Sequence, residues 1–161
     1  MQNESNLDRW ARMLHEAYCA NDDEACSREP GRARATANVP WDGLPETYRR
    51  SNRASAERFS TNLGVLGRQV AAAGTEPEVL LSFEELETLA RMEHERWMSE
   101  RALDGWVHGS IRDNVRKFHP DMIPYERLSE DIKQLDRDKV NEMIELVRRE
   151  GLVISYRESN G

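Results

Sequence analysis

Two diverged copies of one pattern run along this chain, and they constrain its fold more than any other feature, because a repeat fixes an architecture before single elements are assigned. Ala11-Arg12-Met13-Leu14-His15-Glu16-Ala17-Tyr18 reads against Ala90-Arg91-Met92-Glu93-His94-Glu95-Arg96-Trp97, with Ala, Arg, Met, His and Glu identical at matching places and an aromatic closing each block. Further on, Val39-Pro40-Trp41-Asp42-Gly43-Leu44-Pro45-Glu46 reads against Ile123-Pro124-Tyr125-Glu126-Arg127-Leu128-Ser129-Glu130, and the register persists to Asn52-Arg53 against Asp136-Arg137. The segments between the blocks differ. The first copy carries an Arg- and Ala-rich stretch from Asn21 to Asn38, whereas the second carries Gly105-Trp106, Gly109 and His119-Pro120.

Each copy reads as helix, irregular connection, helix. In the second copy Ser82 stands ahead of Glu84 and Glu85, a start in which the hydroxyl caps and the carboxylates meet the positive end of the helix dipole. This helix is expected to stop at Gly105. Along it His94, Trp97 and Arg101 fall at helical spacing, which places an imidazole, an indole and a guanidinium on one stripe. After Pro124, a capping-type turn at Ser129-Glu130-Asp131 opens a helix with Ile132, Leu135, Val140, Met143, Ile144 and Val147 on its apolar side and Gly151 as its stop. The first-copy helices are read from about Leu7 to Ala20 and from about Pro45 to Leu66. In the loop from Trp106 to Pro120, the alternation of Trp106, Val107, His108 and Gly109 and then Ser110, Ile111 and Arg112 suggests a short two-stranded ribbon. The expected fold is therefore mainly α: two helix-loop-helix repeats packed together, with short strands or a ribbon in the connections. The first repeat spans about residues 7–67, a linker 68–80, the second repeat about 81–151, and a short tail 152–161 in which Leu152 to Tyr156 reads as a short strand or an extended segment.

At 161 residues the chain has the size of one domain. Its 33% charged against 38% hydrophobic residues imply a modest core. No apolar run approaches the roughly 20 residues that span a bilayer, and the N-terminus, with Asn3, Glu4, Ser5 and Asp8, lacks the basic start and apolar stretch of a signal peptide. A cytoplasmic protein with Cys19 and Cys26 as free thiols is expected. The net charge of −7 argues against general nucleic-acid binding, which needs a basic face. Clustered arginines such as Arg28, Arg32 and Arg34 still permit a local pocket for a small polyanion. No metal-type spacing occurs, and no glycine-rich phosphate loop, nucleophile elbow or paired-carboxylate motif points to an enzyme. Neither a metal nor a cofactor is expected.

The motifs His94-Glu95-Arg96-Trp97, Gly105-Trp106-Val107-His108-Gly109, Arg112-Asp113, His119-Pro120 and Ile123-Pro124-Tyr125 with Leu128 follow one another in the order of the ryanodine receptor repeat, which the second half of the chain resembles from about Leu81 to Gly151. His108 departs from that pattern, which has Tyr there, and the first copy lacks the G-W-x-x-G element. The resemblance implies two repeats paired about an approximate two-fold axis and a non-catalytic domain. It also implies a cleft between the repeats where aromatics stack on the base of a nucleotide and basic residues hold its phosphates. Carried over, the stacking residues are Trp97 and, through the internal repeat, Tyr18. Arg101, Arg112 and His119 would face the phosphates. His94, His15 and Tyr125 complete the candidate ligand-binding set.

The same residues admit plainer readings. Tyr18 and Trp97 also suit a core seam where two helices cross, His15 and His94 suit structural bonds to a carbonyl or carboxylate, and Trp41 and Trp106 read as packing residues. A protein-interaction adaptor without a small ligand is the competing function. The two functions differ in an observable way. A binding cleft requires Trp97 partly exposed beside Arg101 and Arg112, whereas an adaptor requires it buried and another apolar patch exposed.

Overall fold

The computed structural model describes residues 6–157. It is mainly helical: α1 (Asn6–Arg28), α2 (Glu46–Val65), α3 (Phe83–Leu103) and α4 (Glu130–Arg149) carry the chain. A 3-10 turn precedes the second helix of each copy, Trp41–Gly43 and Tyr125–Arg127. Short strands fill the connections: β1 (Arg68–Ala72), β2 (Val107–His108), β3 (Phe118–His119) and β4 (Leu152–Tyr156). Among the described residues no helix is long and apolar enough to cross a membrane.

Matching bonds hold the two copies. His15 Nε2–H donates to the Val39 carbonyl at 2.6 Å and His94 Nε2–H to the Ile123 carbonyl at 2.8 Å, each carbonyl standing just before the proline of a 3-10 turn. Arg53 reaches Asp8 and Glu46, and Arg137 reaches Glu87 and Glu130, so one guanidinium in each copy ties both of its helices together. After α2 and α4 the chain turns at Gly67 and Gly151 with φ of 66° and 70°, a left-handed conformation that glycine adopts without the Cβ penalty. Three residues beyond each glycine come Val70 and Ile154, which face each other in the antiparallel pairing of β1 with β4. Equivalent residues opposite one another at the centre of an antiparallel pair mark a local two-fold axis.

One core serves both copies. Leu14, Phe59 and Leu63 from the first pack in a single buried cluster with Leu89, Val140, Met143 and Val147 from the second. A satellite cluster of Ala11, Trp41 and Leu44 lies within the first copy, so Trp41 is a packing residue.

The structure departs from the sequence reading in three places. Helix α1 runs to Arg28 rather than Ala20, because nothing breaks it before Pro30 and Glu24 pairs with Arg28 one turn on. The buried Asp22 carboxylate accepts from Ala35 N and Asn38 Nδ2, both at 2.9 Å, and so pins the connection back onto the extended helix. The expected linker contains β1, whose partner lies at the far end of the chain. The ribbon expected between Trp106 and Pro120 is built from Val107–His108 alongside Phe118–His119 in parallel. Finally, Ser82 forms the full capping box with Glu85, whereas the Ser129 side chain makes no capping bond at the start of α4.

Candidate functional site

Helices α1 and α3 present equivalent faces to the space between the repeats. Tyr18 and Trp97 each follow their histidine by three residues, on the same face of the helix. Each ring leans on that histidine: His15 and Tyr18 lie with centroids 6.2 Å apart and planes 23° apart, His94 and Trp97 at 5.5 Å and 29°. Because each imidazole is fixed by its backbone carbonyl, the bond that repeats in both copies also sets the pose of the aromatic beside it.

Both rings line a cavity of about 470 Å³ whose walls also include Tyr48, Trp106, Arg34, Arg101, Arg112, Asn114 and His119. Among the described residues no carboxylate lines it. Trp97 is half-buried and Tyr18 is 37% exposed, which matches a cleft wall and not a closed core seam. Arg101 lies over the rings of Tyr48 and Trp106 at 5.3 Å and 5.7 Å, close enough for cation–π attraction. Arg112 bonds the Asn114 side-chain oxygen at 3.0 Å. Among the described residues neither Arg101 nor Arg112 has a carboxylate partner, while Arg34 pairs with Asp23 at 3.0 Å. In a chain of net charge −7 this is a local concentration of positive charge that the protein does not itself neutralise.

The walls of this cavity rest on the ribbon. Gly109 stands so close to Phe118 that a Cβ there would fall 2.7 Å from the Phe118 Cβ, so the second glycine of the G-W-x-x-G element lets β2 lie against β3. Val107 N donates to the Lys117 carbonyl at 2.9 Å, and Asp113 exchanges two 2.9 Å backbone bonds with Phe118. The ribbon thereby delivers His119, whose ring meets the edge of Trp97 at 5.0 Å. His119 Nδ1 accepts from Asp121 N at 3.2 Å, which leaves its proton on Nε2. Burial, and then the neighbouring Arg112, Arg101 and His94, hold its pKa below the ordinary imidazole value against the pull of Asp121. His119 therefore offers a neutral N–H, and positive charge in the cavity belongs to the arginines.

Deeper between the repeats a second cavity of about 280 Å³ shares Tyr18, Tyr48, Trp97 and Arg101 and adds His15, Ser51, Asn52, Glu93, Arg96, Asp136 and Lys139. Its chemistry is mixed. Lys139 Nζ donates to Asn52 Oδ1 at 3.0 Å, and burial pushes the amine down against the pull of Glu142 and Glu93. Glu93 accepts from Ser55 and Arg96.

Of the sequence-derived set, Tyr18, Trp97, Arg101, Arg112 and His119 meet in the outer cavity, and His15 reaches the inner one. His94 and Tyr125 do neither. Both are buried, at 2% and 3% exposure, with Tyr125 Oη bonded to Glu87 and His94 behind Trp97; they brace the wall. Burial and Glu87 raise the Tyr125 phenol to about 12. Trp106, read from the sequence as packing, lines the outer cavity. Tyr48, Arg34, Asn52 and Lys139 join from segments that carried no motif. The only advance signal for Asn52 was its match to Asp136 in the repeat.

His94 and Asp136 share a proton. The Ile123 carbonyl commits His94 Nε2 as a donor, and His94 Nδ1 lies 3.3 Å from Asp136 Oδ2. Burial opposes the charged imidazole, yet Asp136 and the Ile123 carbonyl together lift His94 above its ordinary value. Burial also raises Asp136, outweighing the opposite effect of His94. Raised folded-state values mean stability that is present at low pH and lost as pH rises through them. The difference in unfolding free energy between wild type and Asp136→Asn should thus be largest at low pH, below the ordinary imidazole value, and shrink as pH rises through the raised His94 value. Urea denaturation across that range measures it, and a difference that stays constant or grows with pH would contradict the shared proton. The comparison with the variant is needed because His119, with its lowered value, contributes in the opposite direction.

A groove of about 690 Å³ between α1 and α4 holds none of the candidate residues. Glu16, Glu24, Asp138, Glu142 and Glu145 line it, so it would repel an anion. Among the described residues no three His, Cys, Asp or Glu side chains gather as a metal site requires.

Residues 81–156 match the family model described as the RyR domain. The match takes in the second copy, from just before α3 to β4. The first copy, outside the matched span, repeats its bonding framework without its ribbon.

Proposed function

We propose that this protein is a non-catalytic binding module that holds a nucleotide or nucleotide-derived messenger in the cavity between its two repeats, inside the cell. The base stacks at Tyr18 and Trp97, and the phosphates take bonds from Arg101, Arg112 and the neutral His119. One observation carries this reading: a concave, aromatic-walled space with three arginines, two of them without carboxylate partners among the described residues, and among those residues no acidic side chain in its lining. Stacking on an aromatic contributes on the order of 1–3 kcal/mol per base, and guanidinium groups match phosphate oxygens in planar pairs. No nucleophile with an adjacent base lines the cavity, which supports binding without turnover.

Thermal unfolding against ATP, ADP-ribose, NAD and cyclic dinucleotides tests it. A ligand at about 100 times its dissociation constant should add roughly 2.7 kcal/mol of stability, and Trp97→Ala should remove the response while leaving a folded protein. If every nucleotide leaves the melting curve unmoved, the reading fails.

The adaptor reading has one observation of its own. Leu103, Ile111 and Val115, around the ribbon, are 89%, 79% and 94% exposed. Single exposed aliphatics are common on protein surfaces, so they weigh less than the unpaired arginines.

A further inference from the structure

The groove between α1 and α4 has a counterpart. The two-fold relation of the repeats carries it onto a groove of about 450 Å³ between α2 and α3. Met13 and Glu16 of the first stand where the second has Met92 and Glu95, and Glu142 stands where the second has Arg58. Equivalent position has not kept their chemistry alike. Three arginines and two glutamates line the α2–α3 groove, which pairs them internally through Arg50 with Glu100 and Arg96 with Glu100. Five carboxylates and two arginines line the α1–α4 groove, and Arg28 is already paired there with Glu24. Among the described residues none of Glu16, Asp138 and Glu142 forms an ion pair. Glu142 takes one bond, from Asn21 at 2.6 Å, and its Oε2 is buried without a partner. Burial holds this carboxyl above the ordinary carboxylate range against the pull of Lys139, a cost that a further cation alongside would offset.

The shape is as particular as the charge. The turns of α1 beyond Ala20 lengthen the groove, since Glu24, Ala25 and Arg28 line it, whereas α3 stops at Leu103. Lining residues run from Met13 to Arg28 on α1 and from Asp138 to Arg149 on α4, which makes a trough of roughly 16–22 Å, or three to four helical turns. Its floor is small and apolar, with Ala17, Ala20 and Ala25 beside the buried Leu14 and Leu146, so another backbone can come close.

We infer that the groove between α1 and α4 is the docking surface for a basic amphipathic α-helix of a partner protein. The apolar stripe of that helix lies on the alanine floor, and its lysines or arginines meet Glu16, Asp138 and Glu142. The trough has the length of a short helix, its floor suits an apolar stripe, and its excess of carboxylates selects a cationic partner. A small polycation would leave the floor uncovered. The surface shares no lining residue with either cavity between the repeats, so this inference stands apart from the nucleotide reading.

Fluorescence anisotropy of the full chain tests it with a labelled synthetic helix of about 16 residues, leucine and alanine on one face and lysine on the other. The same residues in scrambled order are expected to bind at least about tenfold more weakly. Ala20→Trp, at an exposed position on α1, fills the floor without changing charge and should weaken binding at least about tenfold while the melting temperature holds. Glu16→Gln with Asp138→Asn should weaken it roughly three- to tenfold. Glu57→Gln with Asp131→Asn removes as much charge outside the groove and should leave affinity unchanged. The inference is overturned if the ordered helix does not bind, if the scrambled one binds as well, or if the distant pair of substitutions weakens binding as much as the pair in the groove. Spermine bound as tightly as the helix would make the occupant a small polycation instead, and self-association of the free chain abolished by Ala20→Trp would make it a second copy.

Discussion

Replacing Arg101 and Arg112 together by alanine is expected to weaken binding of a nucleoside triphosphate by roughly two to four orders of magnitude. A hydrogen bond to a charged group contributes about 1.5–3 kcal/mol, and each 1.4 kcal/mol is about a factor of ten in affinity. Two such bonds, lost in a site where no other carboxylate-free cation compensates, give that range. The fold should tolerate the change. Arg112 is exposed, and the contacts of Arg101 are with the rings of Tyr48 and Trp106, an attraction of about 0.5–1 kcal/mol at such sites. Arg149→Ala, in the carboxylate-rich groove between α1 and α4, is the matched control and should leave affinity unchanged. Titration calorimetry at fixed ionic strength decides the matter, since the remaining attraction to partly exposed charges is screened by salt. A loss of only a few-fold in the double variant would mean that the phosphates lie elsewhere.

Phe59→Ala is expected to cost about 3–5 kcal/mol of stability, a large share of the roughly 5–15 kcal/mol typical of a folded domain. Phe59 sits on α2 in the first copy, is 5% exposed, and packs in the cluster that contains Leu89, Val140 and Met143 of the second. Removing its ring opens a void beside Glu93 and Lys139, which already border a small cavity with it. The neighbouring polar groups limit how far the site can close by apolar collapse. Because both copies contribute to this core, unfolding of the variant should remain one transition, shifted to lower denaturant with an unchanged slope. Two separated transitions in urea, one for each half, would show that the repeats are stable independently and that the shared core is not what holds them together.

The cost of the two-fold arrangement shows in which residues had to be kept in both copies. His15 and His94, Arg53 and Arg137, and Gly67 and Gly151 perform equivalent structural tasks. Residues that line the cavities diverge, as Asn52 against Asp136 shows.

What the sequence by itself determined was local. The repeat, the start of α3 at Ser82, the stops near Gly105 and Gly151, and the common face of His94, Trp97 and Arg101 follow from spacing and capping within a few residues. Helix ends were less secure. Asn21 to Arg28 looked like connection because it is polar, yet it is helical, since polarity does not break a helix and Pro30 does. The tertiary structure decided everything that joins distant segments. Gln69 to Ala72 has the composition of a linker and becomes a strand only because β4 lies beside it; a strand's partner is set by packing of the whole chain, not by its own propensity. The two cavities belong to the same class of feature. Tyr48 on α2, Arg34 in the first connection and Lys139 on α4 enter them only because the repeats dock about the axis through Val70 and Ile154. The same docking buries His94 and Tyr125 behind the wall and away from both cavities, a distinction that matching motifs could not make, because a motif names residues that stay together and does not say which of them the fold leaves open.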